Sequence, residues 1–514
     1  MLTREDVLAG LPDYLHQILD RHPASHDDAA ALYESGQSLS YGQLREAVAA
    51  LADQLGRDGI RAGDRVMLVA ENSSLLVASL LALSRLNAWA VVVNARLSAG
   101  EIDNIHAHCS ARRVLYGSAI SKDAAAHAGR AGAELRMTTS LGGYHLGPLN
   151  AHCQPEPVEN DPAHQVAVMI YTTGTTGTPK GVMLTHRNLL YIAHSASLLR
   201  QLCSEDRVYA VLPISHVYGL SAVCLATLFA GAALQLEARF DPQALARALR
   251  DDGITLMQGV PTMYARLLEL AEAGRFELHA PHLRFMYAGG SPLDMTLKTA
   301  VEQRFGLTLH NGYGLTESSP TVSQTRIDAP RRDTSIGMPI PGLDIHLMNS
   351  DRSACVAQGE VGELWVRGPN VMKGYYRAPE KTLEVLTADG WLNTGDLARQ
   401  DSDGALFIVG RSKELIIRSG FNVYPPEVEA VIAAYPGVVI AAVVGRPVEG
   451  NEEVVAFLQV AHRDSFDTAA LKAFLAERLS PYKRPSHIHL LDSLPATSSG
   501  KILKHQLKIQ AEAL

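Results

Sequence analysis

Residues 171–181, Tyr-Thr-Thr-Gly-Thr-Thr-Gly-Thr-Pro-Lys-Gly, carry the strongest chemical signal in the sequence. Gly174 and Gly177 permit backbone conformations that aim successive N–H groups at an anion, and Thr172, Thr173, Thr175 and Thr176 add hydroxyl donors. Lys180 supplies a positive charge. The apolar run 166–170 just before the loop reads as a strand, so the donors emerge from a strand end. A Walker A loop differs, because its lysine directly follows a glycine, whereas Pro179 precedes Lys180 here. Composition alone would also suit a polar surface loop. The ordered run of small donors, proline and lysine favours a phosphate cradle of another type.

This segment resembles the signature loop of the adenylate-forming superfamily, which contains acyl-CoA synthetases, nonribosomal peptide adenylation domains and firefly-type luciferases. Further motifs follow in that family's order over nearly the whole chain. Residues 311–317 (NGYGLTE) resemble its adenine and magnesium motif. The resemblance implies that Tyr313 stacks on the base, Thr316 meets the α-phosphate and Glu317, with Thr172, helps hold Mg2+. A hard cation favours such carboxylate and phosphate oxygens. It further implies nucleotide contacts for Asn311, Gly312 and Gly314. Residues 288–292 (AGGSP) resemble the stretch lining the adenine pocket, which adds Gly289, Gly290 and Ser291.

Asp396, in Thr-Gly-Asp, and Arg411, in Gly-Arg, match the positions that grip the ribose, although Leu392-Asn393 stands where many relatives have Tyr-Arg. Residues 213–219 (PISHVYG) resemble the segment whose ring gates entry of the carboxylate, a role that falls on His216. Residues 495–501 (PATSSGK) resemble the catalytic-lysine loop, with Ala496 where a basic residue is commoner. Lys501 would then contact carboxylate and α-phosphate, supplying the cation without which one anion attacks another slowly. Residues 410–429 resemble the hinge and thiol side: Lys413 sits at the hinge, and Ser419, Gly420 and Phe421 would line a pantetheine tunnel. The wording SGFNVYP is nearer to fatty-acyl and malonyl-CoA synthetases than to peptide-synthetase domains.

The resemblance implies an acid–thiol ligase that uses ATP, Mg2+ and coenzyme A and forms an acyl-adenylate. A medium- or long-chain fatty acid is the expected substrate. An aryl acid of benzoate or hydroxycinnamate type, a dicarboxylate such as malonate, or the loading of a carrier protein are the alternatives. His216, Tyr218, Tyr264, Gly289, Gly290, Ser318 and Pro320 are the acid-pocket candidates, and Arg284 is a cation that a dicarboxylate could use. A luciferase-like oxygenase and a catalytically dead binding protein are the remaining rivals, and retention of Lys501, Glu317 and Asp396 speaks against the second.

The elements that must position these residues alternate in type. Helical patterns at 41–55 and 75–86 interleave with apolar runs at 65–69 and 89–93, and the rhythm continues through 167–171, 241–251, 256–259 and 283–288. Such βα alternation predicts a large N-terminal body of doubly wound α/β sheets, with ligands at the carboxyl ends of the strands. Beyond 362 short strand-like runs with Gly and Pro punctuation follow. A small, mobile α+β unit is then expected, with a strand at 414–418, a helix at 426–435, strands at 438–444 and 454–460, and a helix at 468–479. The expected domains are 1–412, holding nucleotide and acid, and 413–514, carrying the catalytic lysine.

The chain has 514 residues, more than one core usually serves. With 47% apolar and 19% charged residues its composition is that of a globular protein, and a net charge of -8 without a basic cluster excludes nucleic acid as the expected partner. Five scattered cysteines without C-x-x-C spacing suit a reducing cytoplasm, and residues 1–20 lack the apolar core of a signal peptide. No formal charge occurs between Arg207 and Glu237, long enough to raise a membrane span. Pro213, Ser215, His216 and Gly219 interrupt it, and Gly231 divides the remainder into a short buried helix and a strand, so no transmembrane segment is expected. A monomer or homodimer is expected.

Overall fold

The computed structural model describes residues 3–173, 179–419, 421–448, 451–496 and 502–513. Two large sheets face each other. In one, the parallel strands Val166–Thr173, Trp89–Asn94, Arg65–Ala70 and Arg113–Tyr116 are neighbours in that order. In the other, Leu309–Gly314, Phe285–Ala288, Leu256–Gly259, Arg207–Ala210 and Ala233–Leu236 run parallel in that order. Such strands are covered on both faces, and Arg65–Ala70 is accordingly buried at every position.

The shared core lies between the sheets, where Leu68, Val92 and Ile170 from one approach Val208, Leu256 and Tyr287 from the other. Helices Ser74–Arg85 and His186–Leu199 fill that layer. Ser74–Ser84 is buried on every side, which explains its lack of a polar face. Helices Pro242–Asp251, Pro261–Glu272 and Met295–Phe305 cover the outer face of one sheet, Ala99–Cys109 and Lys122–Arg130 that of the other. The uncharged stretch beyond Arg207 folds as a strand, a buried helix that runs as a π-helix over Tyr218–Leu225 and an α-helix over Ala226–Phe229, and the strand Ala233–Leu236. No helix among the described residues is long and apolar enough to cross a membrane.

A four-stranded antiparallel sheet follows, in the order Asp344–Met348, Val361–Arg367, Leu392–Gln400, Leu406–Arg411. The chain then turns through Ser412–Glu414, so the strand expected from 414 begins at Ile416. From there on it builds separate cores, Ile416, Val428, Val443 and Leu471 in one and Val455, Phe457 and Leu507 in the other. Helix Pro425–Ala433, strands Val438–Val448 and Asn451–Val460 and helix Thr468–Arg478 lie within a residue or a few of the expected spans.

Candidate active site

The glycine pair 289–290 follows the strand Phe285–Ala288, and Gly312–Gly314 ends its parallel neighbour, so both emerge at adjacent carboxyl ends. Close approach explains the glycines. A Cβ at Gly312 would lie 1.9 Å from Tyr287 Oη and 2.6 Å from Ser323 O, and one at Gly314 1.9 Å from Pro320 O. Gly290 adopts φ +79°, a region that favours glycine. Asn311 is buried, and its amide donates to Thr334 O at 3.2 Å and Ser335 O at 3.1 Å, so its side chain fixes a neighbouring loop.

Tyr313 and Asp396, 83 residues apart, are joined by a hydrogen bond from the phenol to the carboxylate. Arg411 Nε lies 3.0 Å from the other carboxylate oxygen, placed there because Asp396 and Arg411 pair directly across antiparallel strands. Burial, and then the Asp396 charge, holds the Tyr313 phenol well above its usual range. The Asp396 charge likewise raises Arg411, so both partners stay protonated.

A second group forms beside it. Glu317 opens from the turn Thr316–Ser318 and accepts from Tyr375 Oη at 2.8 Å. The Tyr375 ring faces Lys180 Nζ at 4.9 Å from its centroid. This contact exists because Gly374–Tyr375 adds a short antiparallel strand beside Pro179–Thr185. Burial first and Glu317 next push the Tyr375 phenol up, so it remains a donor. Sequence reading missed Tyr375: it lies 58 residues from Glu317, and nothing in its local spacing marks it.

The segment expected to cradle phosphate joins two antiparallel strands, Val166–Thr173 and Pro179–Thr185, with Thr172 opposite Lys180 and Thr173 opposite Pro179. Gly174, Thr175, Thr176 and Gly177 lie outside the described residues, as do Gly420 and Lys501. In the strand Val166–Thr173, Tyr171 Oη and His108 Nδ1 are 2.6 Å apart. His216 is exposed and borders a cavity of about 130 Å3 with Val92, Asn94, Leu97, Tyr171 and Pro213. Thr316 is buried, and Ser291, which follows Gly290, is half-buried.

Lys413 lies in the turn Ser412–Glu414. Ser419 has φ +53° and its N–H donates to Asn451 Oδ1 at 2.7 Å, while Phe421 is exposed and stacks on Tyr482 at 4.5 Å. The segment that ends at Lys501 has a firm base: Ala496 and Ile502 form an antiparallel bridge, and Leu503 N donates to Pro495 O at 2.8 Å. Two residues on, Lys504 Nζ lies 2.8 Å from Glu429 and 3.4 Å from Glu414.

Three acid-pocket candidates serve the scaffold instead. Tyr264 is buried in the outer core and donates to Met257 O and Tyr287 O at 3.1 and 3.0 Å. Ser318 donates within its own turn, to Leu315 O and Pro320 O. Arg284 is engaged by Asp206 at 2.5 Å, ahead of its strand rather than at the carboxyl end.

Comparison with known proteins agrees with this geometry. The profile of AMP-binding enzymes matches residues 19–376, and that of the AMP-binding enzyme C-terminal domain matches 427–501. A feruloyl-CoA synthase of Amycolatopsis is 36% identical over 482 residues, 93% of this chain and 95% of that protein. A long-chain-fatty-acid–CoA ligase of Bacillus subtilis is 37% identical over 350 residues, 68% of this chain and 62% of that protein. ATP-bound MatB from Rhodopseudomonas palustris is similar in structure, with a TM-score of 0.84 at 28% identity and coverage of 97% and 99%. A tyrosine–aspartate–arginine cluster at glycine-rich strand ends and these matches have one reading: the chain belongs to the adenylate-forming family of AMP-binding enzymes, among the acyl-CoA synthetases.

Proposed function

We propose that the protein joins a carboxylic acid to coenzyme A in two steps, using MgATP and an enzyme-bound acyl-adenylate. The observation that carries this reading is the Tyr313–Asp396–Arg411 cluster at the carboxyl ends of the glycine-rich strands. Asp396 offers acceptor oxygens to both ribose hydroxyls, Arg411 pairs with it, and the Tyr313 ring stacks on the base. In the first step a carboxylate oxygen attacks the α-phosphorus, the bond to the β-phosphate breaks and pyrophosphate leaves with the electron pair. Thr172, Thr173 and the loop 174–177 cradle the phosphates with Lys180, and Lys501 neutralises carboxylate and α-phosphate together. Glu317 and Thr172 would hold the magnesium ion, which offsets the charge of the triphosphate; a carboxylate already oriented by Tyr375 suits that task.

In the second step the thiol attacks the acyl carbonyl, AMP departs and the thiol proton is lost. Residues 413–514 turn about Lys413, withdrawing Lys501 and bringing Ser419, Gly420 and Phe421 to the thiol path, while His216 gates the acid.

The acid favoured is an aryl one. Behind Gly289 the interior is closed by Tyr218 and Tyr287: a Cβ there would meet their rings at 3.3 and 3.1 Å, and the rings lie edge to face at 6.0 Å. Aromatic walls suit a flat ring, and the feruloyl-CoA synthase relative points the same way. A medium- or long-chain fatty acid is the second reading, favoured by the Bacillus subtilis relative. The test is pyrophosphate release over acetate, octanoate, palmitate, benzoate, coumarate and malonate, with coenzyme A compared against acyl carrier protein as acceptor. Turnover of coumarate or benzoate with coenzyme A is expected. Preference for palmitate would overturn the aryl reading, and transfer to carrier protein alone would overturn the acceptor.

A further inference from the structure

The sheet that contains Val166–Thr173 ends on an open edge. Its last strand, Glu134–Met137, pairs antiparallel with Gly143–Leu146 on one side and, among the described residues, with no strand on the other. The direction of its backbone groups follows from its neighbours. Gly147 N donates to Val114 O at 2.8 Å and Thr138 N to Gly142 O at 3.0 Å, and hydrogen-bonded pairs alternate along antiparallel strands. Tyr144 and Leu146 therefore turn their amides to Arg136 and Glu134, which leaves the N–H groups of Leu135 and Met137 pointing away from the sheet. An unpaired edge of this kind is a template for another strand.

Side chains do little to blunt it. Leu135 and Met137 share a face with His145 and Tyr116 and are 58% and 65% exposed, while Glu134 and Arg136 stand on the other face, 2.9 Å from each other. The strand holds no proline and pairs without a register shift, so the common devices against edge pairing are missing. Its charges are also self-complementary. Two copies related by a two-fold axis normal to the sheet keep each face on its own side, so only residues of the same face can stand opposite one another. A register centred on Arg136 sets that arginine against its own copy, a like-charge pair that destabilises. A register centred on Leu135 sets leucine against leucine and places Glu134 opposite Arg136 at both ends.

We propose that two copies of this chain associate through Glu134–Met137, antiparallel about a two-fold axis at Leu135, so that their sheets continue as one. The Leu135 N–H of each copy donates to the Leu135 carbonyl of the other, Glu134 of each faces Arg136 of the other, and Met137 meets the small Ala133. Between this edge and Val166–Thr173 lie the strands Trp89–Asn94, Arg65–Ala70, Arg113–Tyr116 and Gly143–Leu146, so association leaves the nucleotide side open. A four-residue edge is smaller than the roughly 800 Å2 per partner of a standard interface, so the dimer forms weakly and with rising concentration.

Sedimentation velocity of the full chain over a wide range of protein concentration is expected to show the mass rising from one chain toward two. Leu135→Asp sets two carboxylates face to face on the axis, and Glu134→Arg turns both cross-strand ion pairs into like-charge pairs. Each should weaken association about tenfold or more. Both side chains are exposed, so the melting temperature should hold. Leu135→Cys reads the register. Hydrogen-bonded antiparallel partners lie about 5.5 Å apart at Cα, within disulfide reach, so mild oxidation should give a covalent dimer above the level that the exposed Cys203 and Cys355 allow in the wild type. A chain that stays monomeric throughout, a dimer indifferent to Leu135→Asp and Glu134→Arg, or cross-linking through Arg136→Cys in place of Leu135→Cys overturns the proposal.

Discussion

Asp396 is a buried carboxylate held by a phenol and a guanidinium, so removing its charge affects the nucleotide before it affects the fold. Asp396→Asn is expected to raise the KM for ATP by about tenfold or more, since hydrogen bonds to charged groups contribute ~1.5–3 kcal/mol. Steady-state kinetics at fixed acid check it; an unchanged KM assigns Asp396 to the scaffold alone. Tyr375→Phe removes the donor that orients Glu317, and a Mg2+ titration of pyrophosphate release should shift to higher concentration while the melting temperature holds. A third expectation concerns acid. Burial drops His186 to about 3 and His310 to about 4, and His186 Nδ1 accepts from Leu15 N at 3.2 Å. Their folded values lie below the unfolded one, so the unfolded chain takes up these protons first as pH falls. Stability is therefore present in full above pH 6.5 and is lost below it, by about 1.4 kcal/mol per pH unit for each histidine. Urea midpoints between pH 7.5 and 5 measure the slope, and His186→Gln should flatten it. Individual residues were unevenly legible in the sequence. Tyr313, Glu317 and Asp396 carry motif wording, whereas Tyr375 gains its meaning from a partner 58 residues distant, to which local spacing is blind.

At the scale of elements, the parallel strands and their covering helices could be read from hydrophobic period, because burial on both faces leaves continuous apolar runs. The antiparallel additions could not. Thr321–Gln324 beside Leu309–Gly314, and Gly374–Tyr375 beside Pro179–Thr185, are short and polar, and distant chain holds them in register. The glycines of Leu309–Gly314 exist for that close pairing. Gly312→Ala or Gly314→Ala must push back Tyr287 or the Pro320 carbonyl, and an insoluble protein or one with a markedly lower melting temperature is expected; a wild-type melt would contradict the packing. Lys504 belongs to this scale too. It ties the base of the proposed catalytic-lysine loop to Glu429 on the helix Pro425–Ala433 and to Glu414, the residue after the proposed hinge at Lys413. Glu429 and Glu414 raise its pKa against the effect of burial, so it stays charged. Lys504→Met should slow adenylation more than transfer from supplied acyl-adenylate, with Lys504→Arg restoring part of the rate. Equal slowing of both steps would mark it as a fold residue only.

For the molecule as a whole, a body built from two facing sheets and a separately cored C-terminal region suit a reaction that needs two arrangements of one site. Lys413→Pro, which locks φ in the turn Ser412–Glu414 proposed as the hinge, is expected to hinder transfer more than adenylation. The most direct test of the central claim is a single turnover with enzyme in excess over radiolabelled ATP, acid present and coenzyme A withheld. The account predicts one equivalent of pyrophosphate and an enzyme-bound acyl-adenylate, which coenzyme A then converts to AMP and acyl-CoA. Release of ADP, or no change in ATP until coenzyme A is added, would contradict it.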